Sequence, residues 1–530
     1  QLGQEDRTIS FFGRANYSLM DRYLLTFTIR ADGSSKFTKG NRWGYFPAAA
    51  FAWRIIEEPF MEPVKEFMSN LKLRLSYGTA GNNRIGNSLY ETSYKAYSSG
   101  KYYGAGGEQN PHYTLNNEQL ANPDLKWETT ITRNIGLDFG FFNERLTGNI
   151  DYYWNTVKDL LIEQSITAIG YKTMQQNIGQ TSNRGVELTL NAAILQKKDY
   201  SLNFNFNIGF NKNKVDKLAN GISSMSYNSG AFSSDMRGRD DYRVIVGEPL
   251  GIVWGYVYDG VYGVDDFVTY TDENGKTQFQ FDKSGNYILK EGVTDNTYTT
   301  ASSYGGLRPG AMKLKDQDGD HKITEKGDRV IIGRTQPKFT GGFGLSGNYK
   351  WFDISANFNF VVGNDVYNMD KMVSSQSYRN SYANLRAEMA PVTLGGKAWT
   401  YLDQSNGTII TDYETLKAMN ANASYWSAAT MSDNNPVPTS WAVEDGSFLR
   451  LQNLTVGFTL PKDWTKKFAC NQFRLYCTLN NLFCLTGYDG YDPEVNSAIR
   501  NSKTSGVTPG ADFSAYPKSF SWTAGVNITF

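Results

Sequence analysis

Strict alternation of apolar and amide-bearing residues between Arg184 and Lys214 constrains this chain more than any other feature. Val186, Leu188, Leu190 and Ala192 alternate with Glu187, Thr189 and Asn191, and Leu202, Phe204, Phe206, Ile208 and Phe210 alternate with Asn203, Asn205, Asn207 and Gly209. A period of two specifies strands with one apolar and one polar face. Gln196-Lys197-Lys198-Asp199 is short and polar enough to close them into a hairpin. Two folds accept such a hairpin. A soluble sandwich turns the Leu and Phe face into a dry core, whereas a membrane barrel turns it to lipid and leaves the Asn row in a wet lumen.

No run of the chain approaches the about 18 apolar residues of a membrane helix, so a membrane-spanning form must be built from strands. At 530 residues the chain exceeds an ordinary domain but suits one large barrel. Its 53 basic and 53 acidic residues balance, which leaves no electrostatic footprint for a nucleic-acid partner. Tyrosine, at 34 copies, is abundant, and rings with one apolar and one wet end suit a membrane–water boundary.

In chain order, a hairpin turns at Met20-Asp21-Arg22, followed by Tyr23, Leu25, Phe27 and Ile29 in alternation. The third strand, Trp43 to Ile55, carries aromatics at both ends and Ala in the middle, as a girdled transmembrane strand does. Further strands are expected around Leu71 to Tyr77, Ile131 to Phe141, Leu146 to Trp154, Lys158 to Ser165, the Arg184–Lys214 hairpin, Lys338 to Tyr349, Phe352 to Val362, Phe448 to Leu460, Phe473 to Leu482 and Ser519 to Phe530. The total is roughly fourteen strands of an all-β antiparallel barrel. Long loops at Gly81 to Asp124, Val215 to Thr335, Asn364 to Gly446 and Thr486 to Lys518 alternate with short turns, the asymmetry of outer-membrane barrels.

One stretch has the composition of a site. In Lys315-Asp316-Gln317-Asp318-Gly319-Asp320-His321-Lys322-Ile323-Thr324-Glu325-Lys326-Gly327-Asp328, carboxylates fall at positions one, three and five, with an aliphatic residue at eight. The stretch resembles the calcium loops of EF-hands and dockerins, which makes Asp316, Asp318, Asp320, the Lys322 main chain and Asp328 candidate ligands for Ca2+. His321 stands where those loops have Gly, and the closing acid is either Glu325 or Asp328. A solvated acidic turn is the alternative reading.

Enzyme chemistry is not indicated. The two histidines, His112 and His321, lie in no nucleophile motif, and the pairs Asp240-Asp241 and Asp265-Asp266 suit solvated loops as well as a glycosidase. Cys470, Cys477 and Cys484 recur around one strand, where neighbours about 24 Å apart exceed the disulfide limit of about 7 Å.

Several phrases go beyond general barrel character. Phe12-Gly13-Arg14-Ala15-Asn16-Tyr17, Asp21-Arg22-Tyr23-Leu24-Leu25-Thr26, Arg30-Ala31-Asp32-Gly33-Ser34-Ser35-Lys36-Phe37 and Asn41-Arg42-Trp43-Gly44-Tyr45-Phe46-Pro47 resemble the SusC/RagA family of TonB-dependent transporters of Bacteroidetes. So do Leu73-Arg74-Leu75-Ser76-Tyr77-Gly78, Asn122-Pro123-Asp124-Leu125-Lys126-Trp127-Glu128, Asn183-Arg184-Gly185-Val186-Glu187, Arg450-Leu451-Gln452-Asn453-Leu454-Thr455-Val456-Gly457 and Asn480-Asn481-Leu482-Phe483. The resemblance runs nearly end to end.

It implies that residues 1–530 are the C-terminal part of a barrel of about 22 strands, with the TonB box, the plug and about eight early strands lying outside this sequence. The opening Gln1-Leu2-Gly3, without a signal peptide, fits that expectation. Closing Phe530 resembles the terminal signal read by the barrel assembly machinery.

The implied function is energised import across the outer membrane, with TonB acting through the N-terminal portion. A SusD-like surface lipoprotein would deliver oligosaccharides or oligopeptides. A passive porin and a barrel-borne adhesin or enzyme are the alternatives. Loops this long suggest a docked partner, for which Tyr256, Tyr258, Trp399 and Trp441 are the candidate anchors.

Overall fold

The computed structural model describes residues 6–96, 102–105, 108–111, 113–166, 170–219, 221–229, 240–297, 306–374, 397–427, 437–468, 470–497, 505–513 and 515–530. Thirteen strands form one antiparallel sheet in which each pairs with its neighbours in chain order. They are β1 (Thr8–Leu19), β2 (Tyr23–Ser34), β3 (Trp43–Arg54), β4 (Met68–Asn82), β5 (Glu128–Phe141), β6 (Leu146–Lys158), β7 (Gln180–Gln196), β8 (Tyr200–Lys217), β9 (Phe339–Tyr349), β10 (Phe352–Val362), β11 (Phe448–Thr459), β12 (Gln472–Thr486) and β13 (Ser521–Thr529).

The expected strand from Lys158 to Ser165 is not one of them. Lys158 closes β6, Asp159 turns the chain at φ 56°, and Leu161–Ser165 pairs with Thr173–Asn177 in a separate small sheet. Five residues are too short to cross a hydrocarbon core, which takes about 9–11. The sheet therefore has thirteen members, one fewer than the periodicity predicts.

Register sorts the side chains. Leu190 stands opposite Phe206, Phe206 opposite Phe343 and Phe343 opposite Phe358, so one apolar row crosses four strands. The Phe343 and Phe358 rings stack at 4.6 Å, a cross-strand aromatic pair that helps fix the register. The opposite face carries Asn191, Asn205, Gly344, Asn357, Asn453 and Asn480 in one continuous row. A slip of one residue would exchange these faces, which is why alternation specifies the pairing so strongly.

Connections differ by side. Met20 and Asp21 both hold positive φ in the three-residue connection between β1 and β2. Phe142, Asn143 and Glu144 hold positive φ in the four-residue connection between β5 and β6, and Lys350 in the two-residue one between β9 and β10. On the other side the connections at 83–127, 159–179, 218–338, 363–447 and 487–520 are long, with short strands of their own.

Three of those loops share cores and form one dome. Tyr242 and Val253 of the first pack with Tyr367, Met369 and Ala442 of the second and Ala511 of the third. A second core joins Tyr262, Phe267 and Phe279 to Trp399, Tyr413 and Leu416, and a third joins Met312, Leu314 and Ile323 to Tyr425 and Trp426. Burial of this much aromatic surface offsets the chain entropy that structureless loops would keep.

Candidate functional site

The candidate functional surface consists of the polar sheet face and the loop dome. On β4, Arg74 donates through Nε to Asp138 of β5 at 2.8 Å and through Nη2 to Asp151 of β6 at 2.9 Å. Lys72 Nζ lies 2.9 Å from the second oxygen of Asp138. Two cations thus hold two carboxylates across three strands. Further round, Arg474 grips Asp353 with Nε and Nη2 at 2.9 and 2.5 Å. Between these networks runs the asparagine row, where Asn357 donates to Asn453 at 2.8 Å. A Cβ at Gly344 would come within 2.5 Å of the Asn357 carboxamide oxygen, so glycine there leaves room for the amides on either side. Such a surface both donates and accepts, and suits contact with a polar body.

At the upper rim, three of the sequence phrases meet in one cluster. Phe37, Phe46, Leu125 and Trp127 are buried together, and Trp127 Nε1 donates to the Arg42 carbonyl at 2.9 Å. Asn122 donates to the Gln175 carbonyl at 2.8 Å, tying loop 83–127 to loop 159–179. Gly185 is required by close approach, since a Cβ would lie 2.3 Å from the Phe210 carbonyl oxygen.

The acidic turn gathers part of its expected set. Carboxylate oxygens of Asp316, Asp318 and Asp328 lie within 4.8 Å of one another, whereas Asp320 stands outside the group and accepts from the Lys322 amide at 2.7 Å. Of the two candidate closing acids, Asp328 stands with the group and Glu325 does not. Glu325 instead pairs with Arg329 at 3.0 Å. Asp328 accepts from the Gln317 and Thr324 amides at 2.8 and 2.7 Å. Partial burial would raise the Asp316 carboxyl, but the Gly319, His321 and Asp318 amides outweigh it and hold it below its ordinary value. For Asp318 the Asp320 amide lowers, yet burial and the charges of Asp320, Asp328 and Asp316 together keep it above. Three oxygens poised in mutual repulsion are what a hard cation would neutralise.

The expected partner anchors are largely spent within the dome. Tyr256 and Trp399 are 3% and 5% exposed and belong to its cores, so they present almost no surface to another chain. Trp441 meets Trp426 edge to face at 4.6 Å under the Lys371 ammonium, and Tyr258 donates its hydroxyl to the Ser424 carbonyl at 3.0 Å. Loop aromatics bury themselves first. The dome exposes smaller groups of Tyr270, Phe281, Leu402 and Ile409 instead, which no periodicity marks.

Neither acidic pair faces a common space. Asp265 accepts from Lys417 at 2.8 Å, while Asp241 is fully buried and accepts from the Ser229 amide and hydroxyl at 2.8 and 2.5 Å. His112 lies outside the described residues, and His321 is exposed beside Asp316. The alternation reading also passed over Arg450, which reaches Asp492 at 2.6 Å and Glu494 at 2.9 Å.

The profile of the family described as TonB dependent receptor-like, beta-barrel matches residues 2–309. TonB-dependent receptor P3 of Formosa agariphila is 32% identical over 99% of this chain and 46% of its own length. TonB-dependent receptor SusC of Bacteroides thetaiotaomicron is 31% identical over 98% of this chain and 44% of its own. The chain thus spans about half the length of the curated relatives it matches. A solved structure of the RagAB peptide transporter superimposes with a TM-score of 0.70 at 23% identity, over 99% of this chain and 48% of that one.

Proposed function

Because the chain belongs to the TonB-dependent receptor-like β-barrel family and is of the SusC/RagA kind, we propose that it forms the dome-bearing part of an outer-membrane nutrient importer. The sheet's apolar face is the lipid face and its asparagine face lines the lumen. The observation that carries the proposal is the pair of open edges. Among the described residues β1 and β13 each have one sheet neighbour, and an unpaired edge in hydrocarbon costs several kcal/mol per backbone group. About nine further strands, supplied by the rest of the receptor, would close a barrel of about 22.

In this reading a plug fills the lumen against Arg74, Asp138, Asp151 and the asparagine row, and yields to force transmitted by TonB. A SusD-like surface lipoprotein sits over the dome as a lid and delivers oligosaccharides or oligopeptides. Peptides gain support from the RagAB likeness, and glycans from the many ring and amide groups of the loops. A calcium ion clasped by Asp316, Asp318 and Asp328 belongs to the same proposal, in a structural role.

The test is uptake by cells carrying the full-length receptor. Labelled oligosaccharide or oligopeptide should accumulate only while the inner-membrane proton gradient is intact, and should stop on deletion of TonB. Uptake that survives both treatments would make the protein a passive pore. Purification in mild detergent should also retain a surface lipoprotein over an interface above about 2,000 Å².

A further inference from the structure

The lipid face ends in an arrangement that hydrophobic matching does not explain. Row by row up β6, β7 and β8, Ile150–Leu188–Ile208 gives way to Tyr152–Val186–Phe210 and then to Trp154–Arg184–Lys212. Arg184 and Lys212 are therefore like charges directly opposite each other, a destabilising pair in isolation. Arg133, on β5, extends the row, its guanidinium 6.0 Å from the Trp154 and Tyr77 ring centres. Among the described residues none of these three cations has a carboxylate in ion-pair contact. Two acids line the flanking grooves: Glu248, which feels the charge of Lys212 but is hydrogen-bonded to Arg334, and Asp216, which accepts from Ser182 and Gln180.

Height places the row at the outer head-group level. From Val186 to Leu195 the strand rises about 30 Å, which at a tilt of about 35–45° spans roughly 21–25 Å, the height of a barrel's apolar band. The cations stand immediately above that band, on the long-loop side. Two grooves of about 860 and about 590 Å³ flank them, and both are lined by Tyr152, Arg184 and Lys212. Gly247, Glu248, Pro249 and Pro337 of the loop also line the larger one, so the cations border an open groove between strand and loop.

We propose that Arg133, Arg184 and Lys212 bind the phosphate of an outer-leaflet glycolipid, with its acyl chains lying against Tyr152, Val186 and Phe210. Phosphate between Arg184 and Lys212 converts their repulsion into two charge-assisted contacts, in a setting less screened than bulk water. The inference rests on membership of an outer-membrane barrel family and is independent of what the receptor imports.

The experiment is native mass spectrometry of the full-length receptor in detergent, titrated with lipid A, with the same lipid A after phosphatase treatment, and with inorganic phosphate. Phosphorylated lipid A should bind and its dephosphorylated form should not. Combining Arg184→Gln with Lys212→Gln should weaken binding by roughly thirtyfold, while Lys350→Gln, on the short-turn side, should leave it unchanged. Heat-modifiable gel migration checks that each variant is folded, and Arg184→Lys should restore most of the binding. Equal binding of both lipid forms, an unaffected double variant, or inorganic phosphate binding as tightly as the lipid would each overturn the proposal.

Discussion

Arg450 of β11 is joined to Asp492 of loop 487–520 by a 2.6 Å contact in which both side chains are nearly inaccessible, at 5% and 6% exposure. The same guanidinium lies 2.9 Å from Glu494, and Glu494 in turn accepts from Lys518 at 2.6 Å. The last long loop is thus pinned to the sheet at the rim, close to where it meets the other two in the dome. Asp492→Ala would leave Arg450 buried with one poorly placed partner, a change that typically costs about 3–5 kcal/mol. We expect faster hydrogen exchange and protease cleavage within 487–520 with the strands still protected. Unchanged protection of that loop would show that the pair does not anchor it.

The two sheet faces predict opposite responses to one substitution. Phe206→Arg puts a cation on the lipid face and should destabilise the barrel by about 2–4 kcal/mol near the midplane. Asn207→Arg, one residue on, faces the lumen among Thr189 and Gly342 and should cost far less. Denaturant unfolding in lipid vesicles compares them. Equal losses would mean that the face assignment is wrong.

The barrel was legible because alternation is a local signal that register and lipid both enforce. Leu188, Leu190, Phe204, Phe206, Phe358 and Ile528 lie on one face, and Asn203, Asn205, Asn357 and Asn527 on the other, as period two requires. Where the signal lasts only a few residues it misleads. Lys158 to Ser165 is expected as a strand of the barrel, but Leu161–Ser165 pairs within the loops, because five residues are too few to cross. The dome was illegible for a different reason. Its cores join residues far apart in sequence, such as Tyr367 with Ala511 and Trp399 with Gly310, and no periodicity relates them. Hence Tyr256 and Trp399 stand out as large loop aromatics, but the sequence does not decide between packing within the loops and exposure to a partner, and the structure buries both. Lysine and arginine in a lipid-facing phase, as at Arg184 and Lys212, were visible in the alternation and easily read as mere strand ends.

At the acidic turn, charge repulsion gives a prediction that separates the two readings of it. Asp318→Asn removes the carboxylate that its neighbours Asp320, Asp328 and Asp316 hold above its ordinary value. Without divalent ions the variant should melt at a slightly higher temperature than the native protein near neutral pH, and the gain should vanish as acid protonates the native carboxylate. Calcium should then raise the melting temperature of the native protein and not of the variant. A native protein indifferent to calcium would leave a solvated turn held by its amide hydrogen bonds.

Asp241 makes dome stability depend on pH in a definite direction. Burial is the main cause that lifts its carboxyl from 3.8 to about 7, opposed by the Ser229 hydroxyl and amide and by its own amide, and reinforced by the charge of Asp240. Arg329 does not neutralise it, since that guanidinium is directed to the Trp254 and Asp240 carbonyls and to Glu325. Because the folded value exceeds the unfolded one, the folded dome holds a proton that the unfolded chain releases. The resulting stability is complete below about pH 4, falls as pH rises through about 7, and is level above that. Asp241→Asn keeps an acceptor for Ser229 without a charge, so it should flatten this slope and make the dome more stable than native at pH 8 than at pH 5. Hydrogen exchange of the segment around Tyr242 and Val253, measured at both values, reports it directly, and a variant with the native slope would assign the dependence to another group.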